Sequence, residues 1–192
     1  MFCCADEDTD AMPHDSALLI IDMINPFDFA GAAPLRRAAL PAAKRISALK
    51  ARLKPQGVPV LYINDNFTQW QSDFRQLVAI CSREGAPGAE IAALLAPEHD
   101  DYFVLKPRHS AFFATPLRIL LERLGARRLI VTGIAGDSCV LATAADAHMN
   151  EFEVAVPRDC VASQSAERNR RAIALMKDAL GADARAARSI AA

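Results

Sequence analysis

The sequence has too few cysteines and too little excess charge for several protein classes. Its 192 residues include five cysteines, and none stands in a Cys-x-x-Cys pair or at zinc-binding distance from a histidine. The 22 basic residues nearly balance the 23 acidic ones, for a net charge of -1. A disulfide framework is therefore not expected, and the cysteine content favours the reducing cytoplasm. A nucleic-acid partner is also not expected, because it requires a basic face.

Long hydrophobic runs and a glycine-rich nucleotide loop are also missing. Apolar runs such as residues 17–21 are far shorter than the roughly 20 residues that span a bilayer, so no membrane association is predicted. The first 14 residues are acidic and have no hydrophobic core of a secretory signal; we interpret residues 1–14 as a flexible leader. No Gly-x-Gly-x-x-Gly follows the first apolar segment, which disfavours a dinucleotide-binding dehydrogenase.

Residues 15–192 alternate short apolar segments with longer amphipathic ones. The chain is 52% hydrophobic and 23% charged, which favours a packed core, and its length suits a single domain. Strand-helix alternation predicts an α/β fold with a parallel sheet covered by helices on both faces. The predicted strands are 17–21, 58–63, 102–105, 129–131, 153–156 and, last, 182–187; the predicted helices are 35–53, 115–124, 138–149 and 163–180.

Three chemically useful residues follow predicted strands. Ligands of open α/β sheets bind beyond the carboxyl ends of the strands. Asp22 follows the first strand, Lys106 the third and Cys139 the fourth. At a helix start beside a lysine, the pKa of the Cys139 thiol is expected to fall, and Asp22 could accept and return its proton. The alternatives are a buried structural cysteine, an N-capping aspartate and a surface lysine. We interpret the nearby His109 as structural.

Aromatic and polar side chains near the same edge are candidates for a substrate pocket. Aromatic rings form flat apolar walls, and an amide or guanidinium could orient a polar or anionic group. For Phe112, packing in the core is an alternative. The predicted substrate-binding residues are Phe27, Asn66, Trp70, Arg108 and Phe112.

Three segments, Leu18–Phe27, Lys106–Leu117 and Val131–Val140, carry a resemblance to a known family. The first is an apolar strand that ends in Asp and is followed by an aromatic residue, the second contains the lysine, and the third contains the cysteine. Taken together and in this order, they make the chain resemble the isochorismatase-like cysteine hydrolases, which include nicotinamidase and N-carbamoylsarcosine amidohydrolase. The resemblance extends over about residues 16–180.

The resemblance implies a catalytic triad of Asp22, Lys106 and Cys139. In it, Cys139 attacks a carbonyl and forms an acyl-enzyme, Asp22 is the general base and acid, and Lys106 stabilises charge. The resemblance also implies a cis peptide between Ile134 and Ala135, which aims the Ala135 N–H, together with the Cys139 N–H, into an oxyanion hole. The implied fold is a Rossmann-like sheet of six parallel strands in the order 3-2-1-4-5-6, and the implied assembly is a homo-oligomer, a dimer or tetramer.

Three departures from the family pattern affect these expectations. Ile24 stands where the family often has Gln, and Gly136 replaces a common Thr, which should loosen that turn. Nicotinamidases bind a metal through Asp-x-His after the second strand, whereas here Asp65 has no histidine after it until His99. We therefore predict no metal and no cofactor, and a small-molecule substrate other than nicotinamide.

The leading hypothesis is a hydrolase that cleaves a non-peptide C–N bond in a small amide, ureide or carbamoyl compound. One alternative is hydrolysis of the vinyl ether of an isochorismate-like compound, but this chemistry needs no thiol and so leaves Cys139 unused. Another alternative is a non-catalytic binding or scaffold protein with the same fold. The presence of Asp22, Lys106 and Cys139 together counts against this last hypothesis.

Overall fold

The computed structural model describes residues 15–65 and 73–192. They form a six-stranded, entirely parallel sheet with helices on both faces, which confirms the predicted α/β class. The predicted leader, residues 1–14, and the predicted pocket residues Asn66 and Trp70 lie outside the described residues.

Most elements lie within a few residues of their predicted positions, and two short helices occur between the second and third strands. The strands are β1 (Ser16–Ile21), β2 (Val60–Asp65), β3 (Tyr102–Lys106), β4 (Arg128–Ile134), β5 (Glu153–Ala155) and β6 (Val161–Ala162). The helices are α1 (Ala32–Leu53), α2 (Phe74–Cys81), α3 (Ala89–Leu94), α4 (Leu117–Arg123), α5 (Leu141–Met149) and α6 (Ala166–Leu180).

The predicted strand order is wrong only at the last strand. The sheet runs β3-β2-β1-β4-β5, and β6 pairs with β4 at Gly133 and Ile134. Because β5 is three residues long and pairs only with the first half of β4, the second half of β4 still needs a partner, which β6 provides. The segment predicted as the sixth strand, 182–187, makes a single bridge between Asp183 and Ala155.

Alternate residues of β1 face opposite sides of the sheet, as the twofold repeat of a strand requires. Leu18 and Ile20 enter a core shared with α1, α2 and α3, whereas Leu19 and Ile21 enter a core shared with α4, α5 and α6. All of β1 is buried, as its continuous apolar sequence predicts. The end of β1, where Asp22 follows, is therefore held rigidly between two packed layers.

Helix ends follow local sequence signals. The Ser165 hydroxyl accepts a hydrogen bond from the Arg168 N–H at 3.2 Å and caps α6, which ends at Gly181 in the left-handed conformation. Pro41 lies inside α1, which continues to Leu53. Within residues 15–65 and 73–192, none of the helices has the length and apolar character needed to cross a membrane.

Candidate active site

The structure brings Asp22, Lys106 and Cys139 together at the carboxyl edge of the sheet. The Lys106 Nζ lies 2.9 Å from the Asp22 Oδ2 and 3.5 Å from the Cys139 Sγ. The Lys106 side chain is fully buried, Asp22 is 5% exposed and Cys139 is half-buried. A carboxylate, a cation and a thiol therefore form one contact cluster, in which the thiol is the member most open to solvent.

Backbone hydrogen bonds hold Asp22 between β1 and β2. Its N–H donates to the Ile63 carbonyl at 2.7 Å, and its Oδ1 accepts from the Asp65 N–H at 2.8 Å. Asp22 adopts a φ of 53°, in the left-handed region that aspartate tolerates better than most residues. This turn at the end of β1 directs the carboxylate towards Lys106.

Gly133 allows β4 to lie close to β1 just before the cysteine segment. Its φ is 113°, and a Cβ added there would lie 2.1 Å from the Ile21 carbonyl oxygen. Only glycine combines this conformation with so close an approach of two backbones. Gly133 thus sets the distance between the strand that precedes Cys139 and the strand that precedes Asp22.

A π-helical turn, Gly136–Val140, carries Cys139 directly into α5. The peptide between Ile134 and Ala135 is cis. The Ala135 carbonyl accepts hydrogen bonds from the N–H groups of Ser138 at 3.0 Å and Val140 at 3.1 Å, on either side of Cys139. The cysteine thus lies in the turn that opens the predicted helix.

Gly136 fits a tight space, which the sequence did not reveal. A Cβ at this position would lie 2.6 Å from the Asn169 Oδ1 and 2.7 Å from the Val161 Cγ1. The expectation that glycine loosens this turn is therefore wrong, since the missing side chain lets the turn pack closely against α6 and β6.

The electrostatics of the cluster differ from the expectation for the thiol. Burial and the adjacent Asp22 carboxylate raise the pKa of Cys139 to about 12, although Lys106 opposes them. Burial also raises the pKa of Asp22 against the influence of Lys106. Burial would lower the pKa of Lys106, but Asp22 and Cys139 outweigh it and raise that pKa. The predicted fall in the thiol pKa is wrong, because desolvation and the carboxylate exceed the effect of the cation. The resting thiol keeps its proton, and a base must remove it during a reaction.

Two further polar side chains lie at the cluster. The Asp65 Oδ2 is 3.8 Å from the Lys106 Nζ, and the His109 Nδ1 is 3.8 Å from the Cys139 Sγ. His109 therefore lies at the site, contrary to its interpretation as a structural residue, and its position three residues after Lys106 is the sequence signal for this. The segment that carries it is fixed to α5 by the hydrogen bond of Ser110 to Asp146.

Comparisons with known proteins identify the family of the chain. The model of the isochorismatase domain matches residues 16–188. The chain belongs to the isochorismatase family. It is 41% identical over 169 residues to the isochorismatase family protein YaaI of Bacillus subtilis (strain 168), which covers 88% of this chain and 92% of that protein.

Two other proteins similar to this chain are named for an amidase activity. Maleamate amidohydrolase of Pseudomonas putida is 27% identical over 157 residues, 79% of this chain and 74% of that protein. The crystal structure of N-carbamoylsarcosine amidase from Thermoplasma acidophilum superposes with a TM-score of 0.73 at 25% identity, over 93% of this chain and all of that one. This chain is thus an isochorismatase-family hydrolase with amidase relatives.

The isochorismatase fold places the predicted substrate-binding residues in different environments. Phe27 is buried, with its ring against the position of Gly88, and Phe112 is half-buried, with its ring 5.9 Å from that of Phe152. Arg108 is exposed next to the site segment. Phe27 and Phe112 therefore pack within the protein, and substrate contact by these residues and Arg108 stays a prediction.

Among the described residues, the end of β2 does not provide a metal site of the kind expected in nicotinamidases. The Asp65 carboxylate faces the buried ammonium of Lys106, which competes with any cation for it. Across the part of the chain that the structure describes, no three His, Cys, Asp or Glu side chains gather in a metal-binding arrangement. The donors present do not fit a divalent ion.

Proposed function

We propose that this isochorismatase-family hydrolase cleaves a non-peptide C–N bond in a small amide, ureide or carbamoyl compound, with Cys139 as the nucleophile. The contact of the Cys139 Sγ with Lys106, which is itself paired with Asp22, carries the proposal. The maleamate amidohydrolase and N-carbamoylsarcosine amidase relatives support the choice of bond.

In the proposed mechanism, Asp22 accepts the thiol proton as the Cys139 sulfur attacks the substrate carbonyl carbon. Asp22 then gives this proton to the leaving nitrogen, the C–N bond breaks, and a thioester remains on Cys139. Water hydrolyses the thioester and restores the thiol. A positioned acid-base group of this kind contributes about 10²–10⁴-fold to a rate.

Fixed positive groups would stabilise the negative charge that moves through the site. Lys106 contacts both the carboxylate and the sulfur, so it can balance charge on either one as the proton moves. We further propose that the N–H groups of Ala135 and Cys139 receive the oxyanion of the tetrahedral intermediate. One donor of this kind is worth about 10²–10³ in rate.

The assembly and the location of the protein stay predictions. We propose a homo-oligomer, a dimer or tetramer, in the cytoplasm, with a small molecule as substrate. The mechanism above uses side chains and backbone N–H groups of this chain and needs no cofactor.

The proposal is tested by ammonia release from a panel of small amides, ureas and carbamoyl compounds. Cys139→Ala is compared with Cys81→Ala, which removes a buried thiol of α2 outside the site. We expect release that Cys139→Ala abolishes and Cys81→Ala retains. Ammonia release that persists in Cys139→Ala would contradict the role of Cys139 as the nucleophile. Turnover of an isochorismate-like vinyl ether by Cys139→Ala would establish the alternative reaction.

A further inference from the structure

His109 occupies the outer side of the nucleophile. Its Nδ1 is 3.8 Å from the Cys139 Sγ, and its side chain is exposed, whereas Lys106 and Asp22 contact the sulfur from the buried side. The thiol thus lies between a buried ion pair and an imidazole at the solvent boundary. This imidazole has no role in the mechanism proposed above.

The second half of a thioester mechanism needs a base in this position. Water that attacks an acyl group on Cys139 enters from solvent, on the side of the sulfur where His109 is exposed. Asp22 lies on the buried side of the sulfur, where the Asp65 N–H at 2.8 Å and Lys106 at 2.9 Å hold its carboxylate, and in the proposed mechanism it serves the first half of the reaction. A charged lysine has no lone pair to accept a proton.

We infer that His109 is a catalytic residue of deacylation, an inference that rests on the proposed acyl-enzyme. With its proton on Nε2, the imidazole has a free lone pair on Nδ1, the nitrogen that faces the sulfur. Nδ1 takes a proton from water, the water oxygen bonds to the acyl carbon, and the C–S bond breaks. The imidazolium then returns the proton to the Cys139 thiolate, so the acid product leaves and both side chains regain their starting forms.

The segment around His109 is built to hold this position. Lys106 anchors its start by pairing with Asp22, and the hydrogen bond of Ser110 to Asp146 anchors the residue after His109. The Ala111 N–H also donates to the Thr143 Oγ1 of α5 at 3.1 Å. The imidazole is therefore exposed on a fixed backbone rather than on a free loop.

A pulse of p-nitrophenyl acetate separates acylation from deacylation. The protein is acetylated, excess ester is removed, and loss of the acetyl group from Cys139 is followed by intact mass and peptide mapping. His109→Asn places an amide near the position of Nδ1 without the capacity to take a proton, and His109→Phe retains a ring. His99→Asn is the matched control, since His99 is an exposed histidine paired with Asp100, near the start of β3.

We expect His109→Asn and His109→Phe to acquire the acetyl group on Cys139 and to lose it about 100-fold more slowly than the wild type, whereas His99→Asn matches the wild type. Free imidazole should restore deacetylation of the purified acetyl-enzyme of His109→Asn. The other charged groups near the sulfur are Asp22, Lys106 and Asp65. Arg108 lies in the segment that carries His109, and Asp146 of α5 is bonded to that segment through Ser110. Both histidine variants retain all of these groups.

Each result has a separate meaning. Equal deacetylation of wild type and both His109 variants would overturn the role of His109 and leave Cys139 as the nucleophile. Slow deacetylation that free imidazole fails to restore would also overturn proton transfer by His109. A wild-type protein that gains no acetyl group on Cys139 would overturn the proposed function itself, and with it this inference.

Discussion

Strand β3 has a buried lysine-aspartate pair at each end, and the two pairs differ in what surrounds them. At the carboxyl end, Lys106 pairs with Asp22 at 2.9 Å. Just before the amino end, Asp101 pairs with Lys50 of α1 at 2.5 Å. The four side chains are between 0% and 7% exposed. Burial and pairing are thus common to both ends.

The surroundings of the two ammonium groups distinguish a structural ion pair from one at the candidate active site. Lys50 also contacts the Glu98 carboxylate at 3.0 Å and the Tyr62 hydroxyl at 3.2 Å, and that hydroxyl donates to the Leu95 carbonyl. These partners are oxygens that join α1 to β2 and to the segment before β3. Lys106 instead contacts a half-buried sulfur at the edge where α/β proteins bind ligands. A buried ion pair alone therefore does not mark a site; the nucleophile beside it does.

The largest expected effect comes from removing the ammonium at the carboxyl end. Lys106→Met should lower kcat/KM for an amide substrate by about 10²–10³-fold, because the charge that balances Asp22 and the sulfur is lost. The measurement is steady-state kinetics on protein whose circular dichroism matches the wild type. Activity within a factor of a few of the wild type would show that the two pairs are equivalent and that both are structural.

Removing the ammonium at the amino end should affect stability instead. Lys50→Met leaves the buried Asp101 with Lys54 as its remaining partner, and we expect a loss of about 3 kcal/mol in the free energy of unfolding. Urea denaturation measures this loss, and kcat/KM per folded molecule should not change. Lys44→Met, at an exposed position of the same helix, is the control and should unfold like the wild type. Unchanged stability of Lys50→Met would show that the pair does not join α1 to β3.

The reactivity of the thiol tests the electrostatics of the catalytic end directly. Because the pKa of Cys139 is raised to about 12, its alkylation by iodoacetamide should be slow at neutral pH and accelerate with pH up to that value. Lys106→Met should raise this pKa further and slow alkylation at every pH below it, since Lys106 favours the thiolate. Peptide mapping over a pH series measures both. A rate that levels off near pH 7 would contradict the raised pKa.

The smallest effect is expected for a pair with neither burial nor a nucleophile. Arg171 and Glu167 form an ion pair one turn apart on the exposed surface of α6. Arg171→Ala should change the free energy of unfolding by no more than about 0.5 kcal/mol, because solvent and salt screen exposed pairs. Thermal unfolding at low and high salt measures it. A loss comparable to that of Lys50→Met would remove burial as the factor that distinguishes the pairs.

The sequence predicted the parallel sheet and the edge where Asp22, Lys106 and Cys139 meet, because both follow from short-range patterns. An apolar strand such as β1 has a clear sequence signal, and parallel strands end on the same side. Local sequence could not predict the partner of β6. That two-residue strand has little pattern of its own, and it pairs with β4 only because β5 is short.

The electrostatics of the site depended on distances that no sequence pattern contains. The sign of the thiol pKa shift depends on how deeply Cys139 is buried and how close Asp22 lies, and the sequence-based expectation counted only the helix start and the lysine. The role of Gly136 likewise depends on Asn169 and Val161, which are distant in the sequence. The importance of His109 likewise follows from the contact of its Nδ1 with the sulfur, which no local sequence pattern contains.

The raised pKa of Cys139 also bears on how the protein withstands oxidants. Peroxide attacks the thiolate and not the thiol, and the first product, a sulfenic acid, can proceed to forms that are not reduced again. A nucleophile that keeps its proton until a carbonyl is bound spends little time in the vulnerable form. Purified protein should therefore keep its activity through air exposure that would inactivate an enzyme with a permanently ionised cysteine.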